Sequence, residues 1–263
     1  MNHPDPSHQT QRILILTDGF PPHDRGGAER IAYYHACALR DLGWDVGVFT
    51  SYPSEPGARP SVEEEEPGIR VYRSFPLNPI ARNGNASLLD SITLLGSTLQ
   101  NPFMRGALEQ AIEDFSPDLI HAHQIARISL STFADVAPDL KRLITFHGYQ
   151  FECPKGGLYR KQKAAICEDK PLVCRAFRDQ ITRKFKRVDR ILAISRFIEG
   201  RLTDAGHPPE KISYVPNGVP NLESRPQSGA SANQSFLYVG RIAANKGLLE
   251  LIEAYRRLDA EGA

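Results

Sequence analysis

The sequence predicts an α/β fold: a doubly wound, Rossmann-like parallel sheet followed by an incomplete second domain of the same kind. Three observations predict it. Apolar, β-rich runs alternate with stretches of helical period through the first 219 residues. Residues 220–235 are rich in Pro, Ser, Asn, Gln and Gly and read as a linker. One strand pattern (236–240) and one helix pattern (247–258) then begin afresh. A lone strand and helix bury too little apolar surface to fold independently. The chain is therefore expected to be truncated. Residues 1–11 form a polar tail, 12–219 the first domain, 220–235 the linker and 236–263 the start of the second.

The elements follow in order. Ile13-Leu14-Ile15-Leu16-Thr17 is a nearly unbroken apolar run, as expected of a strand covered on both faces. After a glycine-containing loop, Ile31, Tyr34, His35, Ala38, Leu39 and Leu42 recur at helical spacing over 28–42, and Gly43 sits at the C-cap position. Strands are predicted at 45–50 and 69–73. Between them, the loop ending in Glu63-Glu64-Glu65-Glu66 reads as a solvated surface. A helix over 87–115 is broken near Asn101-Pro102. Strand 118–123, helix 128–136 and strand 142–146 come next. Residues 149–174 fit neither period and read as an insertion. A basic helix (175–186), a strand (188–194), a helix closed by Gly206 and a last strand (212–215) complete the domain.

Composition excludes several classes. Lys and Arg number 32 against 31 Asp and Glu, so nothing marks the chain as a dedicated nucleic-acid binder. The N-terminus lacks the apolar core of a signal peptide, and no apolar run approaches the roughly 20 residues of a membrane span. A cytoplasmic location follows as the default, and Cys37, Cys153, Cys167 and Cys174 then read as thiols or ligands rather than disulfides.

Three places carry chemistry. Gly26-Gly27 stands at a helix start, where a phosphate can approach bare backbone N–H groups at the positive end of the helix dipole; a flexible turn is the bland alternative. No G-x-G-x-x-G occurs, which disfavours a nicotinamide-dinucleotide fold. Thr145-Phe146-His147-Gly148 follows a predicted strand, and His121 and His123 end the preceding one on a shared face. The carboxyl ends of such strands meet the ligand crevice, so His147 is well placed for a substrate, while His121 reads as structural. Finally, Arg241 just after a strand and Lys246 at a helix start would form a metal-free clamp for a diphosphate, with plain surface charge as the bland alternative.

In series, P-P-x-x-x-G-G-A-E-R, F-H-G, A-I-S-x-F-I, Y-V-P-N-G-V and F-L-Y-V-G-R-I-x-x-x-K-G-L resemble family 4 of the retaining GT-B glycosyltransferases. The resemblance spans Arg12 to Leu258. It implies a GT-B N-terminal domain and transfer of a sugar from a nucleotide-sugar donor to a glycan or lipid-linked acceptor, with retention and without a metal or other cofactor. Gly26 and Gly27 would lie against the donor diphosphate, His147 would reach the transferred sugar, and Arg241 and Lys246 would hold the departing diphosphate. The family's acidic motif, in the rest of the donor domain, is missing here. The chain alone is therefore expected to be inactive. The alternative is a non-catalytic acceptor-binding module, or a subunit completed by a separate donor-domain chain.

Two weaker signals remain. Cys153, Cys167 and Cys174 could hold zinc with a fourth ligand, but they lack C-x2-C pairs, and plain thiols are the simpler reading. Between Lys155 and Arg190, twelve Lys or Arg face four Asp or Glu. The helix that begins at Arg175 and ends at Lys186 repeats Phe177, Ile181 and Phe185 every four residues. It could rest on the inner face of an anionic membrane or pack on the sheet with its basic side outward.

Overall fold

The computed structural model describes residues 10–23, 26–51, 61–74, 101–154, 156–160, 165–167, 171–221, 236–240, 242 and 246–261. They fall into two compact units: Met1–Leu158 with Asp169–Pro220, and Tyr159–Glu168 with Asn221–Ala263.

The first unit is built on eight strands. In chain order they are β1 (Arg12–Thr17), β2 (Asp45–Ser51), β3 (Ser61–Glu66), β4 (Ile69–Ser74), β5 (Leu119–Ala122), β6 (Lys141–Phe146), β9 (Arg190–Ala193) and β10 (Ile212–Tyr214); β7 and β8 belong to the second unit. Their spatial order is β10-β9-β6-β5-β1-β2-β4-β3. Seven run parallel, and β3 pairs antiparallel with β4 at the edge. The order reverses between β1 and β5, which makes their carboxyl ends the topological switch point where ligands bind in open α/β sheets.

The expected loop at Glu63-Glu64-Glu65-Glu66 is thus corrected to an edge strand. A run of charges does not exclude a strand at a sheet edge, which pairs on one side only.

Strand residues alternate between two cores. Ile13, Ile15, Val46, Val48, Ile69 and Val71 face helix α1 (Gly27–Asp41), with Ala32 and Ala36 against them. Leu14, Leu16, Ile120, Ala122, Ile144, Phe146 and Ile191 point the other way. They pack on α2 (Pro102–Phe115), α3 (Leu130–Asp135), α4 (Leu172–Phe185) and α5 (Arg196–Asp204).

Local signals explain the helix ends. The Asn101 side chain accepts from Met104 N at 3.2 Å, with Pro102 at the first helical turn, so the break read at this dipeptide is a helix start. The expected helix piece over 87–100 lies outside the described residues. Gly43 and Gly206, at φ +90 and +87, take the left-handed turn after α1 and α5 that a side chain would strain.

In the second unit, β7 (Tyr159–Arg160) and β8 (Ala165–Ile166) form a small hairpin, and helix α6 (Leu248–Glu261) matches the expected helix closely. Residues 236–240 are not in a strand. The apolar run is present, but a strand needs a neighbour for its backbone groups, and none among the described residues supplies one. Phe236 rests instead on Tyr255 at 5.8 Å, while Leu249, Ile252 and Leu258 on α6 stay exposed.

Candidate functional site at the switch point

The loops after β1 and β5 are joined by Asp18. Its N–H donates to Gln124 O at 2.5 Å, and its carboxylate accepts from Arg127 N at 2.8 Å and Ile128 N at 3.4 Å. Ser51 at the end of β2 donates to its carbonyl. Burial pushes the Asp18 carboxyl up to about 7 against the pull of the Arg127 amide, and nearby Glu29 adds to the rise. The buried Arg73 of β4 donates to Phe20 O at 3.4 Å and Pro21 O at 2.6 Å, holding the outer part of the β1–α1 loop.

Asp18→Asn keeps an acceptor for both amides, whereas Asp18→Ala orphans them and is expected to cost about 2 kcal/mol. The pH behaviour has a definite sign. The unfolded carboxyl releases its proton near 3.8 but the folded one holds it to about 7, so this residue's contribution to stability falls as pH rises through that window. Urea midpoints of Asp18→Asn should therefore gain on wild type between pH 4 and 7. A constant difference would contradict the assignment.

Four histidines meet beside this staple. His121 and His123 share one face of β5 and its end, as their alternation predicts. His35 comes from α1, and His147 follows β6. His123 contacts His35 (Nε2 to Nδ1, 3.2 Å) and His147 (Nδ1 to Nε2, 3.0 Å), and His121 Nε2 contacts Thr145 Oγ1 at 2.9 Å. In each contact between two rings, one must donate and the other accept. Burial lowers all four, His121 to about 3 and His147 to about 4, with mutual repulsion adding to the drop at His121 and His123. They are neutral imidazoles at neutral pH. His147 Nδ1 is buried and has no hydrogen-bond partner.

Three of these rings, His35, His121 and His123, border a cavity of about 480 Å³. Ile31, Tyr34, His35 and Ala38 of α1 form one wall, with His121, His123, Thr145 and residues 215–220 around it. Of the residues that recur at helical spacing, Ile31, Tyr34, His35 and Ala38 thus line the cavity, while Leu39 packs on the core with Ala32 and Ala36, which are small enough to let α1 lie close on the sheet. Leu42, from the same stripe, is 76% exposed. His35 and Asp18 were not singled out from sequence. His35 was absorbed into the apolar stripe, and Asp18 lay within the glycine loop without a distinguishing pattern.

Gly26 is the N-cap of α1, in extended backbone and with no side-chain cap, and Gly27 is the first helical residue. A Cβ at Gly27 would meet nothing within 4 Å, so the surrounding protein does not demand a glycine there. Lys246 is exposed, just before α6 in the second unit. Arg241 lies outside the described residues. Cys153 contacts Gly157 O at 3.2 Å, Cys174 sits in α4 and Cys167 follows β8. Among the described residues, the ligand side chains that converge are His35, His121 and His123, not these cysteines.

The basic helix is α4. Phe177, Ile181 and Phe185 are buried in the core, Phe185 stacking on Phe146 at 5.8 Å. The apolar stripe is committed to the sheet and is not available to a bilayer, so the outward face is the basic one. No helix among the described residues is long and apolar enough to cross a membrane.

Residues 26–218, most of the first unit, match the family described as glycosyl transferase 4-like domain. The chain belongs to that family. Glycogen synthase from two strains of Mycobacterium tuberculosis is 26% identical to this chain over 259 residues, 94% of this chain and 58% of theirs. The sucrose-phosphate synthase structure from Thermosynechococcus elongatus superposes with a TM-score of 0.54 at 18% identity, covering 78% of this chain and 48% of that one. The chain thus has an α/β fold like that of GT-B glycosyltransferases and spans about half the length of these relatives.

Proposed function

We propose that the chain contributes the acceptor side of a glycosyltransferase that moves a glycosyl group from a nucleotide sugar to a glycan or lipid-linked acceptor. One observation carries the reading: the matched family segment begins at the uncapped start of α1, Gly26-Gly27, and encloses a cavity walled by His35, His121 and His123, the last in contact with His147. The backbone N–H groups there suit a diphosphate, and Arg241 and Lys246 would add the positive charge a leaving diphosphate needs. No divalent ion is then required at the phosphates, and the anomeric configuration is retained. His147 serves the transferred sugar through its buried, unpartnered Nδ1. A peripheral membrane contact, where the acceptor is lipid-linked, uses only the outer charges on and just after α4, among them Arg183 and Lys186.

Catalysis requires a donor half supplied beyond the residues described. The test is a product assay with a panel of nucleotide sugars and glycan acceptors, with the chain alone and mixed with a separately produced donor half. Product is expected only on mixing, with retained anomeric configuration and no loss in EDTA. His147→Ala should slow it about a hundredfold. Turnover by the chain alone would overturn the half-site reading, and no product on mixing would overturn the transferase reading.

A further inference from the structure

His35, His121 and His123 are closer than three desolvated imidazoles need to be. Their ring centroids lie 4.6 to 5.4 Å apart, and one ring nitrogen from each falls within 4.8 Å of the others. A hydrogen-bonded chain accounts for His35, His123 and His147, but it leaves His121 outside. A cation accounts for His121 as well. Two nitrogens about 2.0 Å from a tetrahedral ion stand roughly 3.3 Å apart; His35 Nδ1 and His123 Nε2 are at 3.2 Å.

The supporting contacts also fit. A ligating histidine usually holds its second ring nitrogen on a neighbouring polar group, which fixes the tautomer and the ring plane. His123 uses its Nδ1 on His147, and His121 has Thr145 Oγ1 at 2.9 Å. All three candidate ligands line the 480 Å³ cavity, so an ion has an entry path and an open coordination position there. Among the described residues, no lysine or arginine lines the cavity to repel it.

We propose that His35, His121 and His123 form a three-histidine site for a first-row divalent ion of the zinc type, its fourth position open to the cavity. Neutral nitrogen donors suit Zn²⁺, Co²⁺, Ni²⁺ or Cu²⁺ and not Mg²⁺ or Ca²⁺, which take oxygen ligands. Burial that keeps the rings uncharged holds them in the form that binds metal. The site shares no residue with Gly26, Gly27, Arg241 and Lys246. It stands whether or not the chain takes part in glycosyl transfer.

The experiment is a Co²⁺ titration of the full chain after chelator treatment. One equivalent should bind with the visible bands of four-coordinate cobalt and no thiolate charge transfer, and Zn²⁺ but not Mg²⁺ should displace it. The thermal midpoint should rise with metal concentration. His35 is only half-buried, so His35→Ala should stay folded by circular dichroism while losing saturable binding. Thr145→Val should weaken binding about tenfold. Replacing His3 and His8, the histidines of the N-terminal tail over residues 1–11, should leave the titration unchanged. The proposal is overturned if no four-coordinate spectrum develops, if thiolate bands put the ion on Cys153, Cys167 or Cys174, or if folded His35→Ala and His123→Ala proteins bind as wild type does.

Discussion

Arg201→Met is expected to lower the free energy of unfolding by about 4 kcal/mol, more than Glu152→Met, and the two changes together by much less than their sum. Glu152 lies in the turn after His147, and Arg201 is on α5. The guanidinium grips the carboxylate through Nε at 3.0 Å and one terminal nitrogen at 2.8 and 2.7 Å. The Glu152 side chain is 1% exposed and that of Arg201 29%. Removing the arginine therefore takes the bidentate counter-charge from the more buried group, which is the worse outcome. In the double variant neither charge remains, and packing recovers most of the loss. Urea unfolding of the four proteins gives the coupling directly, and a coupling near zero would make the pair incidental.

His207 should make the protein lose stability on acidification. Its ring lies between Phe151 and Phe185, at 6.0 and 5.9 Å, and neither ring nitrogen has a partner. Burial lowers it from 6.5 to about 4. Between those values the unfolded ring binds a proton and the folded one does not, so stability falls as pH drops from 6.5 toward 4. The share due to this residue is at most about 3 kcal/mol. His207→Leu should flatten that part of the curve while altering stability at pH 7 little. Asp18 acts with the opposite sign over an overlapping window, so differences between each variant and wild type are the quantity to measure. An unchanged acid slope in His207→Leu would contradict the account.

The sheet was legible because strands covered on both faces leave unbroken apolar runs, as at residues 13–17, and because Gly43, Gly206 and Asn101 mark helix ends. His121 and His123 were legible as a pair because a strand alternates strictly. Other features follow from distance in space and leave no local pattern. Nothing near Glu152 announces Arg201, 49 residues on. Asp18 gains its role from the amides of Arg127 and Ile128, more than a hundred residues away. His35 was hidden by its neighbours: a histidine among apolar residues at helical spacing looks like core until the core is seen to lie on the other side of the helix.

That helix has a consequence for how the protein can change over time. Ala32 and Ala36 meet the sheet, while Ile31, Tyr34 and Ala38 line the cavity. Variation at the second set alters what the cavity admits without disturbing the packing that the fold depends on. Selection can thus explore new ligands along one side of a single helix at little risk to folding, and a small randomised library at these three positions would sample the same freedom.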